Sequence, residues 1–112
     1  MTKPRILTGA VRDIEPNARD RRWEVYFDRS TYGADFPREH KAEIEVEWPS
    51  GVFRSTIGLT PDNPIYLHTA AVSDDARAST RVTDLCAKHG FGRAGPIRFE
   101  VAVPRRRFRV LV

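Results

Sequence analysis

Residues 32–41 carry Tyr32, Arg38, His40 and Lys41 within ten positions, with Arg29 just upstream. Guanidinium and ammonium groups pair with phosphate oxygens and a phenol ring can stack, so these types together have the chemistry of a phosphate and base reader. Between Arg98 and Arg109 five arginines (98, 105, 106, 107 and 109) face one acid, Glu100, a net +4 that equals the formal charge of the whole chain. Such a concentration is the footprint of a polyanion contact, because neutralising phosphates releases counterions. The same pattern also describes a charged edge strand kept from pairing with other chains.

Catalytic readings are weaker. Glu39-His40-Lys41 is an E-x-K triplet of the kind that follows an aspartate in magnesium-dependent nucleases, with Asp28 or Asp35 as the candidate here. It falls between Pro37 and the start of a hairpin, not on a core strand, so we expect no catalytic residue. His40, His68 and His89 are far apart and lack zinc-ligand spacing. Glu43, Glu45 and Glu47 share one strand face about 7 Å apart, which reads as a solvated row with Arg54 as its cross-strand partner. No metal or cofactor is expected. Residues 90–95, GFGRAG, follow a helix instead of opening one, so a turn is expected there and not a phosphate cradle. The lone Cys86 has no disulfide partner in the chain and falls on an apolar helical stripe, which reads as core packing.

These side chains need a rigid carrier. Residues 42–48 alternate strictly, with Ala42, Ile44, Val46 and Trp48 on one face and the three glutamates on the other. Pro49-Ser50-Gly51 turns the chain, and keeping apolar residues on one face sets Val46 opposite Phe53 and Glu45 opposite Arg54. Further strands are expected at 6–14, 23–28, 65–67, 97–103 and the end of the chain, where Phe108, Val110 and Val112 oppose Arg107 and Arg109. Residues 73–79 read as a loop or single turn. Val82, Leu85, Cys86 and His89 lie on one helical stripe, with Thr80 or Thr83 as its cap and Gly90 at its end. The result is a mainly β fold, an open barrel or strongly curved sheet of about seven strands with one or two short helices, one of them plugging an open end.

With 112 residues the chain makes one domain, 1–112, and its 40% hydrophobic and 30% charged content is that of an ordinary globular protein. No apolar run approaches the roughly 18 residues of a membrane helix, and residues 1–5 are not followed by an apolar signal core. We expect a cytoplasmic protein with no membrane partner.

The order of these segments resembles the DNA-binding pseudobarrel domains of the EcoRII amino-terminal effector region, of BfiI-like specificity domains and of plant auxin-response-type transcription factors. The resemblance rests on residues 32–41, the 43–57 hairpin around Trp48 and Gly51, Ile65-Tyr66-Leu67, and residues 82–90 leading through Phe91 to the Ile97 strand. It implies an open seven-stranded barrel gripping the major groove of double-stranded DNA with two loop arms, as in the recognition domain of a restriction-modification system. Cleavage would then belong to a separate catalytic protein or domain. Residues 15–22 and 32–41 are candidates for one arm and its neighbourhood, and 59–64, which lacks basic residues, for the other. Arg19, Arg21, Arg22, Arg38 and Lys41 would neutralise phosphates, and one or two of Arg29, Tyr32, Arg38 and His40 would reach base edges. Arg107 and Arg109 would extend the phosphate track or protect an edge. The alternatives are a protein-interaction or structural subunit with a charged β surface and, more weakly, a metal-dependent nuclease.

Overall fold

The structure, a computed structural model, describes residues 4–13, 23–59, 64–68, 70–73, 79–92 and 95–112. In chain order its elements are β1 (Ile6–Asp13), β2 (Trp23–Phe27), helix α1 (Arg29–Tyr32), a 3-10 turn (Gly33–Asp35), β3 (Glu43–Trp48) and β4 (Gly51–Leu59). They continue as β5 (Ile65–Leu67), β6 (Ala70–Ser73), β7 (Ser79–Arg81), helix α2 (Val82–Lys88), β8 (Pro96–Val103) and β9 (Arg107–Leu111). Seven of these strands form a barrel in the order β3-β9-β8-β1-β2-β5-β4, closed by the β3–β4 hairpin, while β6 and β7 extend outward from β4. All pairs are antiparallel except β3–β9. The expected mainly β, seven-stranded barrel with short helices is therefore present, and where an open barrel was expected the β3–β4 pairing closes the ring, which is hydrogen-bonded at every junction.

The alternation in 43–48 holds. Ile44, Val46 and Trp48 are at most 2% exposed, and Val46 pairs with Phe53 and Glu45 with Arg54. Gly51 takes φ +145 after the Pro49-Ser50 turn, a conformation that glycine tolerates and other residues rarely adopt. On β1, Leu7, Gly9 and Val11 face inward, and the Phe27 ring occupies the space a Cβ on Gly9 would need. Each large side chain withdrawn from water in this way contributes about 1.5–3 kcal/mol.

Different devices close the two ends. Where β2 begins, α2 inserts Val82, Leu85 and Cys86 into the core, and Phe91 meets Trp48 edge-on at 6.2 Å. Burial pushes the Cys86 thiol up to about 12, in keeping with its expected packing role. The predicted threonine caps are corrected. Arg81 is the N-cap and makes no side-chain cap bond, because the helix issues directly from β7; the Thr83 hydroxyl instead accepts the Trp23 N–H at 2.9 Å. Gly90 ends the helix at φ +81, and the Phe91 N–H donates to the Cys86 carbonyl at 2.8 Å.

At the opposite end Phe36 is 1% exposed, 5.1 Å from Phe27 and 4.9 Å from Phe108 between ring centroids. Residues 32–41, expected as a plain loop, thus begin with the last residue of α1 and a 3-10 turn, held down by this aromatic plug. Two strands went unforeseen, β6 and β7. They are short and unpatterned, and they exist because β4, nine residues long, offers an edge beyond its pairing with β5.

Candidate nucleic-acid interface

Three turns from distant parts of the sequence meet at the Phe36 end. The Arg5 guanidinium donates twice to the Asp35 carboxylate, at 2.6 and 2.9 Å, and that hydrogen bond holds the Arg5 pKa above its ordinary value. In the β8–β9 turn, the Arg105 backbone N–H donates to the Asp35 carbonyl at 3.3 Å and its Nε–H to the Ala34 carbonyl at 3.3 Å. The Lys41 N–H donates to the Ile57 carbonyl at 2.8 Å, and the Leu59 N–H donates to His40 Nδ1 at 3.1 Å. In the neutral ring, accepting at Nδ1 makes Nε2 the N–H donor, on a residue that is exposed.

The described loop residues of this end (4–5, 28–41 and 104–106) hold six cations, Arg5, Arg29, Arg38, Lys41, Arg105 and Arg106, against Asp28, Asp35 and Glu39, a net of +3. Arg38, Lys41 and Arg106 are exposed and form no ion pair among the described residues. Lys41 and Arg105 also adopt left-handed backbone, with φ +67 and +62, the two non-glycine residues with positive φ among those described. Such conformations cost roughly 1–2 kcal/mol each and persist where surrounding contacts impose them.

The predicted residues divide into groups. Arg29, Tyr32, Arg38, His40 and Lys41 lie together at this end. Tyr32 is built into the wall: its ring meets Phe27 edge-on at 6.3 Å, its hydroxyl accepts the Thr8 N–H at 3.3 Å, and the Arg5 guanidinium carbon is 5.9 Å from its centroid. Arg107 and Arg109 project from the barrel side instead. The Arg109 Nε–H donates to Glu47 Oε2 at 2.6 Å, and Arg107 Nε is 3.9 Å from Glu45 Oε2. The glutamate row is thus flanked by Arg54 on β4 and by these two arginines on β9, a ladder of alternating charge that absorbs part of the sequence-level basic cluster. Arg19, Arg21 and Arg22 lie outside the described residues, as do 60–63 of the second candidate arm; Asp13 and Trp23, which flank 14–22, pair at the α2 end.

The triplet residues do not assemble either. Asp28 accepts from the Thr31 hydroxyl, Asp35 is clasped by Arg5, and Glu39 is exposed. Among the described residues no three His, Cys, Asp or Glu side chains gather as a metal-binding group. Arg5, which pairs with Asp35, and Arg105 and Arg106, counted in the basic cluster but not singled out as site residues, are the cations that the fold adds to this end. The signal for Arg105 and Arg106 was Pro104 followed by three arginines, which places a turn there. No helix among the described residues is long and apolar enough to cross a membrane. Comparisons with protein-family models, with curated proteins and with solved structures find no match.

Proposed function

We propose that this protein is a double-stranded DNA-binding module that applies the basic end of its barrel to the phosphate backbone and an adjoining groove. The observation that carries the reading is the convergence of Arg38, Lys41 and Arg106 on one end, all exposed and all without an ion pair among the described residues. Turns pinned to a closed barrel carry these cations on an already ordered backbone, so binding has only their side-chain rotamers to order and more of each phosphate contact survives as affinity. Arg29 and His40 are the candidates for reaching base edges, while Tyr32, packed edge-on against Phe27, belongs to the wall that carries them. In keeping with the resemblance to pseudobarrel recognition domains, cleavage, where it accompanies binding, belongs to another domain or partner. The buried Cys86 and the absence of any other cysteine suit a reducing, cytoplasmic setting.

Titration of labelled duplex DNA over a salt series tests this. The wild type is expected to bind at low salt and to weaken steeply as salt rises. Arg38→Ala, Lys41→Ala and Arg106→Ala are each expected to lower the logarithmic salt slope by about 0.9, the value of one phosphate contact. Arg109→Ala, whose side chain is held by Glu47, is expected to leave the slope unchanged. Absence of duplex binding at low salt, or binding indifferent to salt, overturns the reading.

A further inference from the structure

On the barrel wall, adjoining the turns just described at Asp28 and Thr8, paired residues Pro96, Ala10, Tyr26, Tyr66 and Gly58 run as one row across β8, β1, β2, β5 and β4. Two half-exposed tyrosine rings, with centroids 6.0 Å apart, thus stand on an outer face between small residues. Local packing explains Tyr66, whose ring lies over Gly58 where any Cβ would collide with it. It does not explain the open groove of about 370 Å³ beside Tyr26, lined by Thr8, Ala10, Arg12, Tyr26, Asp28 and Pro64. That volume falls within the roughly 300–1,000 Å³ of small-molecule sites.

We propose that this groove binds one nucleotide unit, its base stacked against Tyr26 and its phosphate held by Arg12. The exposed Arg12 guanidinium lies 5.1 Å from the Tyr26 centroid, and that ring is its contact among the described residues. The Arg12 guanidinium rests over the Tyr26 ring and swings aside onto the phosphate when a base takes that face, so the pair matches a planar ring joined to an anion, and base stacking on tyrosine tolerates any base. Asp28 adds an acceptor for an exocyclic amino group, which inorganic phosphate alone would not use. Exposed Arg98, paired with Thr8, is placed for a second phosphate. Burial, with the hydrogen bond to Glu24, pushes the Tyr26 phenol up to about 12, so the ring stays uncharged at neutral pH. The small side chains of Thr8 and Ala10 leave room for the ligand. The site is independent of the duplex reading, because it uses none of Arg38, Lys41 and Arg106.

The test is an NMR titration of the isotope-labelled full chain with adenosine monophosphate, inorganic phosphate, and a short single-stranded oligodeoxynucleotide. Adenosine monophosphate is expected to shift the amide resonances of Thr8, Ala10, Arg12 and Tyr26 and to leave those of Lys41 and Arg106 in place. Tighter binding of the oligonucleotide identifies a strand as the source of the nucleotide; equal binding identifies the free nucleotide. Tyr26→Leu is expected to weaken binding roughly 5- to 150-fold, the range for one lost stacked base, and Tyr26→Phe to retain it. Should Tyr26→Leu fail to fold, Ala10→Leu, which fills the groove floor from outside the core, is expected to abolish binding. No shift in these resonances, phosphate bound as tightly as the nucleotide, or unchanged affinity in a folded Tyr26→Leu or Ala10→Leu protein overturns the proposal. Lys41→Ala and Arg106→Ala separate the two sites, since they affect duplex binding alone.

Discussion

Lys41 and Arg105 hold positive φ without being glycine, and both carry their charge on the end proposed to meet DNA. The contacts that impose this backbone are identifiable: the Lys41 N–H reaches the Ile57 carbonyl, and Arg105 is tied to Ala34 and Asp35. A residue kept in a costly conformation for its side chain makes a separable prediction. Lys41→Gly is expected to stabilise the fold by about 1 kcal/mol, because glycine enters the left-handed region without the Cβ penalty, and to weaken duplex binding at the same time. Urea unfolding read alongside the DNA titration checks both halves, and a destabilised Lys41→Gly protein would show that the lysine stem packs instead of straining. The sequence placed Lys41 among basic residues but carried no sign of its backbone, since φ at a non-glycine position is set by what hydrogen-bonds around it.

Among the elements, the β3–β4 hairpin was legible to the residue, because strict alternation leaves one register that buries Ile44, Val46 and Trp48 together. The β9 arginines were legible as a face but not as partners. Their neighbours came from a parallel pairing, Glu45 with Arg107 and Glu47 with Arg109, between strands about sixty residues apart. The Arg109 hydrogen bond holds the Glu47 carboxyl below its ordinary 4.5. A depressed acid pKa stabilises the fold above 4.5, and that contribution is lost as pH falls through the lower folded value. Arg109 is exposed and Glu47 partly so, and the effect is therefore small and screened by salt. The gap in urea midpoint between the wild type and Arg109→Ala is therefore expected at neutral pH and should close below 4.5. A gap that persists unchanged into acid would assign the loss to packing of the arginine stem.

For the molecule as a whole, closure is the property on which everything else rests. Phe36 joins Phe27, Phe99 and Phe108 in one aromatic cluster that seals the basic end beneath its turns. Phe36→Ala is expected to cost about 3–5 kcal/mol and to loosen the turns carrying Arg38 and Lys41, lowering melting temperature and duplex affinity together. Undiminished affinity in a destabilised but folded variant would mean that the turns order themselves. The sequence by itself determined which residues face inward on β3 and, as far as Val110, on β9, where α2 ends, that Cys86 packs in the core, and that a barrel of about seven strands would result. Only the tertiary structure decided that β3 pairs with β9, that β6 and β7 extend β4, and that the arginines of the last strand meet glutamates while Arg105 and Arg106 join the 32–41 turns. The reason is physical. Periodicity along a strand records which way each side chain points, whereas the neighbour it meets depends on how the sheet curls and closes, and no short stretch of sequence encodes that.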